Sequence, residues 1–310
     1  MACALAIDYL FGEPKRFHPL VGFGAIANWI ESVLNGNSIV KSSSGSRLSG
    51  ALGWILLCIP LPIILASVLI KLPPSWAFLS SVFSLYLCVA PNSLAKHAYA
   101  IEGSLAKNDL KKSRVALSAI VSRDCGELDS KQIAAGSVES VLENGSDAVI
   151  APLFWYFLLG APGVVFYRLA NTLDAMWGYR TKRFNNFGFA AAKLDDLLNW
   201  VPARCCAFLY GAGGNFLKAI GCWQSQARHW SSPNAGPVMA SGAGALNLVI
   251  GGSASYHGQE ESRPVLGIGE MPNEGDIRRS VSLVNRATAY FVLVILVWEL
   301  CLCYLATVAI

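Results

Sequence analysis

Residues 51–70 read ALGWILLCIPLPIILASVLI, twenty positions without a single charge. A helix crossing the hydrocarbon core of a bilayer needs about 20 apolar residues, so this stretch predicts a membrane span. The pattern recurs at 72–90 (LPPSWAFLSSVFSLYLCVA) and at 289–310 (AYFVLVILVWELCLCYLATVAI). Residues 149–169 are long enough as well, but Gly160, Pro162 and Gly163 sit at their midpoint, where they interrupt helical hydrogen bonding and invite a bend. That segment is expected to cross, or to dip into the bilayer as a re-entrant hairpin. Residues 203–222 are apolar but glycine-rich and flanked by Arg204 and Lys218, which makes them a marginal or interfacial span. The expectation is an all-α, polytopic integral membrane protein. It forms one domain over residues 1–310, with three to five membrane segments and large helical blocks outside the bilayer.

Composition agrees. The chain is 54% hydrophobic and 14% charged, whereas a soluble domain carries about 25% charged residues. The opening MACALAIDYLFG has no basic leader, is broken by Asp8 and ends at Gly12, so a cleavable signal peptide is not expected. Nine cysteines form no CxxC pair, and Cys58, Cys88, Cys301 and Cys303 fall in apolar runs, where they act as small apolar fillers. His18, His97, His229 and His257 are too dispersed for a zinc signature. A net charge of +4 spread over loops suits a membrane face or anionic substrates and excludes nucleic acid as the expected partner. Lys and Arg number seven in 91–148 and eleven in 170–288, against only Lys71 in the link between the first two spans. The positive-inside bias therefore favours both blocks on the cytoplasmic side of the membrane, which a hairpin at 149–169 permits.

Three polar blocks, 11–50, 91–148 and 170–288, separate the apolar runs, with KSSSGS at 41–46 reading as a flexible loop. In the second block Leu94, Ala98, Ile101 and Leu105 recur at helical spacing, and Asp129 can cap a helix through Ile133, Val138 and Val141 that Asn144 and Gly145 stop. Glu139 and Glu143 share a face of that helix, with Asp147 just beyond its end. No internal repeat and no strand-like alternation of useful length is present.

The densest chemistry follows the fourth apolar run, in NTLDAMWGYRTKRFNNFGFAAAKLDDLLNW, which begins at Asn171. Spacings of three and four put Asn171 with Asp174, and Asp195 with Asn199, on common helix faces, and Asp196 adjoins. Such groups can hold Mg²⁺, which takes one or two carboxylates and leaves its other positions to water and phosphate; they can equally be a solvated helix face. Arg180, Lys182, Arg183 and Arg204 fall within the same 34 residues, and an arginine fork matches phosphate or carboxylate bidentately. Positive-inside anchoring accounts for Lys182 and some of the others.

Two further islands stand out. GEPKRFHPLVGFG (12–24) carries Glu13 and His18, and SPNAGPVMASGAGALNLVIGG (232–252) carries one early amide, Asn234, among small residues. Small residues permit close approach to a ligand or, at least as readily at 240–252, close packing of helices. No GxxxxGK[ST] loop occurs, nor a persuasive Ser/His/Asp or Cys/His arrangement. Arg123-Asp124 reads as a surface ion pair worth well under about 1 kcal/mol. Glu299 lies halfway along the last apolar run, where a carboxylate merits a functional hypothesis; the plainer reading is a hydrogen bond buried in the helix bundle.

Taken in order, these islands resemble the CobD/CbiB family, the adenosylcobinamide-phosphate synthases of cobalamin biosynthesis, which are integral membrane proteins. The resemblance runs through Asp8, Gly12-Glu13-Pro14 and His18-Pro19, then Arg123-Asp124, then Glu139, Asn144 and Asp147 leading into APLFWYFLLGAPG. It is strongest over NTLDAMWGYRTKRFNNFGFAAAKLDDLLNWVPAR and continues through SPNAG and GALNLVIGG to Tyr256 and Gly258. Pro237-Val238 stands where an aromatic-proline pair is usual and Ser122 where glycine is common, departures that bear on local loop shape and remove no candidate catalytic group.

The resemblance implies an ATP-dependent amide ligation. The free propionate carboxyl of adenosylcobyric acid joins the amine of (R)-1-amino-2-propanol phosphate, or of aminopropanol itself, with Mg²⁺ required and no tightly bound cofactor. It implies a lipid bilayer and other cobalamin-pathway enzymes as partners. Within it, Asp174, Asp195 and Asp196 are the metal candidates. Glu13, His18, Asp124, Glu139, Asp147 and Asp174 form the catalytic set. Arg123, Arg180, Arg183 and Arg204 would bind phosphates or corrin carboxylates, and Asn144, Asn171, Asn199 and Asn234 would orient substrates. Two rivals remain: a membrane prenyltransferase, whose paired Asp-rich motifs NTLD and LDDLLN resemble, and a transporter built around Glu299 and the broken 149–169 segment.

Overall fold

A computed structural model describes residues 1–14, 18–36, 43–256 and 258–308. Helices α1 (Ala2–Phe11), α2 (Pro19–Asn35), α3 (Ser43–Cys58), α4 (Pro60–Lys71) and α5 (Pro74–Cys88) come first, then α6 (Pro91–Leu105), α7 (Leu110–Ser118) and α8 (Ser130–Gly145). After these come α9 (Ala151–Trp177), α10 (Phe189–Leu198), α11 (Trp200–Gly213), α12 (Phe216–Gln226) and α13 (Ala235–Leu246). Four short strands, β1 (Val249–Gly251), β2 (Ala254–Tyr256), β3 (Gln259–Glu261) and β4 (Val265–Gly267), precede the long α14 (Glu274–Val308). The fold is nearly all helical, as expected.

Among the described residues four helical stretches are long and apolar enough to cross a membrane: Ser43–Lys71, Pro74–Leu105, Ser130–Trp177 and Glu274–Thr307. Each takes in all or most of one of the runs read from the sequence. The last is covered least by the rest of the chain, with 6% of its apolar window buried, so its side chains are left for lipid. Glu299 lies exposed on this helix, which corrects the reading of a hydrogen bond buried within the bundle. Residues 203–222 do not form one span: Asn215 caps a new helix, and the two halves of 14 and 11 residues each fall short of the roughly 20 a crossing needs.

The chain divides into two compact units. The first comprises Met1–Ala90 and Ala151–Trp200. In it Pro60 and Pro62 bend the α3–α4 rod without ending it, since hydrogen bonds run on through Ile59. Ser43–Ser46 already belong to α3, where serine suits a helix start, so a flexible loop at 41–46 is not found there; Lys41 and Ser42 lie outside the described residues. Trp54, Leu57, Leu173, Trp177, Phe187 and Ala191 form the core, with the Trp177 and Phe187 rings edge to face at 4.9 Å.

The bend expected in 149–169 is present. Gly160 adopts φ 63°, ψ −151°, a region open essentially to glycine alone. The Trp155 carbonyl oxygen then lies 2.6 Å from where a Cβ on Gly163 would sit, and the Trp155 ring meets Phe166 at 6.5 Å. The two halves of α9 thus fold toward each other in place of running on as one straight rod.

The second unit comprises Pro91–Ile150 and the chain from Val201 onward. Its centre is α8, capped as expected by Asp129, whose carboxylate accepts from Gln132 N while the Gln132 side chain accepts from Asp129 N. α8 does not stop at Asn144-Gly145 but passes into a π-helical turn, Ser146–Ile150. Gly145 is there for packing, because Val284 and the Tyr210 hydroxyl occupy the space of a side chain. α13 is buried along its whole length, with Gly242 against Leu142 and Gly244 against the Lys218 carbonyl, so the small residues of 240–246 serve helix packing. The strands, unforeseen in the sequence, pair antiparallel as β1 with β4 and β2 with β3. At three residues each they are too short to show alternation.

Candidate functional site

Four polar assemblies gather the residues singled out in the sequence. The first joins α9 and α10. Asp195 is buried on α10, one turn before Asn199, whose Nδ2 donates to Asp195 Oδ2 at 3.0 Å. Asn171 Nδ2, on α9, donates to Asp195 Oδ1 at 3.3 Å, and the buried Tyr167 hydroxyl donates to Asn199 Oδ1 at 2.8 Å. The helical spacing read in the sequence is what allows this: residues four apart share a face, and two such faces meet. Burial, reinforced by the charge of Asp174, pushes the Asp195 carboxyl up to about 7, and the hydrogen bonds from Asn171 and Asn199 only partly oppose it. Asp196, half-exposed, is paired with Lys193 at 3.2 Å. Among the described residues no cation forms an ion pair with Asp174 or Asp195.

This donor set fits Mg²⁺. Two neighbouring carboxylates, Asp195 held in direction by amides and Asp174 beside it, are what that ion takes from a protein when phosphate and water supply the remaining ligands. An all-protein cage is not formed: among the described residues no group of three His, Cys, Asp or Glu side chains is placed to hold a metal.

The second assembly lies at the start of the first unit. His18 caps α2, its Nδ1 accepting from Leu20 N at 3.2 Å, with Pro19 at the first helical position. Burial lowers its pKa, Glu13 opposes this and Arg168 adds to it, so the ring is neutral near pH 7. With Nδ1 accepting, the proton resides on Nε2, which is buried and has no partner among the described residues. A ring in that tautomer donates, so within the catalytic set the resemblance implies His18 is not set up as a general base. Tyr86 anchors the same region by donating to the Gly12 carbonyl at 2.6 Å.

In the third, also in the first unit, Arg183 is clamped by Glu31. Nε donates to Oε1 at 2.9 Å and Nη2 bonds Oε2, while Asn35 Nδ2 donates to Oε1 at 2.7 Å. Burial would raise the Glu31 pKa, but the hydrogen bonds from Arg183 and Asn35 outweigh it and the carboxyl is held low. The Nε–Nη2 edge of Arg183 is therefore engaged by a carboxylate of this chain and is not the edge it would present to phosphate. Arg180, in the same loop, is exposed.

The fourth belongs to the second unit and brings together motif islands more than 110 residues apart. Glu139, buried on α8, accepts from Arg123 Nη2 and, at 3.1 Å, from Arg263 Nη1 on Oε2, and from Gly251 N at 2.9 Å on Oε1. Arg263 also donates to the Gly252 carbonyl at 3.0 Å and stacks over Trp230. Asp124 accepts from Ser255 Oγ at 2.9 Å and Gly258 N at 2.7 Å. Arg123 thus turns to Glu139 on α8, while Asp124 holds the strand region at Ser255 and Gly258. Arg263 was missed because nothing local to RPVLG marks it. Elsewhere in this unit Arg204 donates to Asn234 Oδ1 at 3.0 Å and to the Pro233 carbonyl at 3.1 Å. Asn144 is exposed and donates back to Ser140, and Asp147 is half-buried beside Tyr210 and Cys206.

Comparison with known proteins accords with these islands. A family model described as CobD/Cbib protein matches residues 1–284, leaving the lipid-facing end of α14 outside it. The chain is 48% identical over 293 residues to the "Cobalamin biosynthesis protein CobD" of Stutzerimonas stutzeri, covering 94% of this chain and 95% of that one. It is 49% identical over 289 residues to the protein of the same name from Chromobacterium violaceum, covering 91% and 90%. It is 32% identical over 292 residues to the "Cobalamin biosynthesis protein CbiB" of Salmonella paratyphi B, covering 91% of each. No solved structure matches.

Proposed function

The chain belongs to the CobD/CbiB family, and from that premise we propose that it acts in cobalamin biosynthesis as an ATP-dependent amide ligase. It would join the propionate carboxyl of adenosylcobyric acid to the amine of (R)-1-amino-2-propanol phosphate or of aminopropanol. The observation that carries this reading is the buried Asp195, held by amides beside a second carboxylate and given no cation among the described residues.

A carboxylate is a poor electrophile and must be activated. A propionate oxygen attacks the γ-phosphorus of ATP, the bond to the β–γ bridging oxygen breaks, and ADP leaves an acyl phosphate. The amine attacks the acyl carbon, the C–N bond forms as the C–O bond to phosphate breaks, and the nitrogen gives a proton to a carboxylate. Asp174 and Asp195, with Asp196 beside them, would hold Mg²⁺, which when bound neutralises charge on the transferring phosphoryl group. Arg180, free of the clamp that holds Arg183, is the loop arginine to engage phosphate. Because His18 is set up to donate, the proton acceptor is sought among carboxylates, with Glu13 the one to test.

The assay is direct. The full chain in detergent receives adenosylcobyric acid, Mg²⁺-ATP and either amine, and product is read by mass. Amide formation dependent on ATP is expected, with Asp195→Asn slower by roughly 100-fold or more. Absence of an ATP-dependent amide would overturn the ligase, and near-normal turnover of Asp195→Asn would remove the site assignment.

ATP is a cytoplasmic substrate, so the blocks 91–148 and 170–288 are placed on the cytoplasmic face of the bacterial cell membrane, with Gly160 turning the chain back. Single cysteines at Ser130 and Ser225, in a cysteine-free background, should both resist a membrane-impermeant thiol reagent in intact cells and react once the membrane is opened. Labelling of either in intact cells contradicts this orientation.

A further inference from the structure

The second unit contains a cleft of about 480 Å³ where the loop between α11 and α12, the end of α13 and the first turns of α14 come together. Gly214, Asn215, Asn247, Arg278, Arg279 and Arg286 line it. Arg278 and Arg286 are eight residues apart, two turns along one helix face. The fork of Arg279 is engaged, by Asp276 and by the Leu246 carbonyl at 2.7 Å. Arg278 spends Nε and Nη2 on Glu102, at 2.9 and 3.2 Å, and keeps its Nη1 donors. Arg286 is exposed and forms no ion pair among the described residues. The start of α12 lies at the same cleft and adds the partial positive charge of a helix N-terminus.

Two further features narrow the ligand. Asn247 sits in the left-handed conformation at the end of α13, and its Oδ1 is buried with no donor among the described residues. An acceptor without a donor, beside Arg286 without a carboxylate and Arg278 with Nη1 donors to spare, fits a molecule that carries both an anion and a hydroxyl group. Arg286 stands three residues before Ala289, where the apolar run of α14 begins, and the helix beyond it is exposed, Leu293 by 55% and Val294 by 65%. The cleft therefore opens close to where lipid headgroups lie.

We propose that this cleft binds a phosphate ester bearing a hydroxyl, its phosphate on Arg278 and Arg286 and its hydroxyl donating to Asn247. A phosphoglycerol group has this chemistry, whether as the headgroup of phosphatidylglycerol or as free glycerol phosphate. The site is independent of the ligase reading.

The test uses the full chain in nanodiscs. One arm compares phosphatidylcholine alone with equal parts phosphatidylcholine and phosphatidylglycerol, and counts retained lipid by native mass spectrometry. The other titrates glycerol 3-phosphate into phosphatidylcholine nanodiscs by calorimetry. Retained phosphatidylglycerol identifies a lipid source and saturable glycerol phosphate a soluble one; either supports the cleft if Arg286→Gln, and Arg278→Gln with it, weaken binding by about tenfold or more, as loss of one charge-assisted hydrogen bond does. Arg286 is exposed, so the single variant keeps the fold if the double does not. Lys71→Gln, a basic residue at the end of another span, should leave binding unchanged. Failure of both ligands to bind, or equal weakening by Lys71→Gln, overturns the site.

Discussion

Glu139 and Asp195 are both carboxylates sunk into the protein, 3% and 8% exposed, one in each unit, and their surroundings are opposite. Glu139 meets two guanidinium groups and a backbone N–H. Asp195 meets two amides and the field of a second carboxylate. An ionised carboxylate leaving water loses several kcal/mol of solvation unless partners replace it. Around Glu139 the chain supplies those partners itself, and the result binds the strand region to α8. Around Asp195 the amides fix direction but bring no charge, so a proton or a cation must come from outside. Glu31 follows the first pattern, with Arg183 and Asn35 holding its pKa down. The difference separates carboxylates that hold the fold from Asp195, the one proposed to act.

The comparison breaks first, if it is wrong, at Glu139. Replacing it by alanine leaves Arg123 and Arg263, each about one-tenth exposed, facing each other without an anion. Loss of one member of such a buried pair costs about 3–5 kcal/mol. Glu139→Ala should accordingly unfold at much lower denaturant or temperature than the parent, whereas Asp195→Asn, which removes an uncompensated charge and keeps the shape, should not. Melting of Glu139→Ala within about 1 kcal/mol of the parent would mean that the arginines are satisfied elsewhere.

How much of this was written locally in the sequence follows the range of each interaction. Spans are legible because lipid solvates a helix through an unbroken run of side chains, and 51–70 announces itself without reference to the rest of the chain. The Asp129 cap and the Asp195–Asn199 pair are legible because their partners lie three and four residues away. The partners of Glu139 and Glu31 are not, since Arg263 and Arg183 lie 124 and 152 residues distant and nothing in either stretch encodes the meeting. Gly145 shows a local signal overruled: Asn-Gly reads as a helix stop, but the space beside it is filled by Tyr210 and Val284, so the chain runs on through a π turn. His18-Pro19 is a local helix start, with the histidine as cap and proline at the first helical position.

The smallest expected effect is also the most direct test of the claim that Asp195 awaits charge from outside. An aspartate free in the unfolded chain titrates near 3.8, and in the fold Asp195 is raised to about 7. Between those values the folded chain keeps a proton that the unfolded chain has released, so stability falls as pH rises through that window and stays low above it. Melting temperatures of the purified chain, measured with chelator from about pH 5 to about pH 8, should drop by a few degrees relative to those of Asp195→Asn. Millimolar Mg²⁺ should recover the loss at the upper end in the parent and do nothing for the variant. An Asp195→Asn chain with the parent's pH slope and the parent's response to Mg²⁺ would contradict the account.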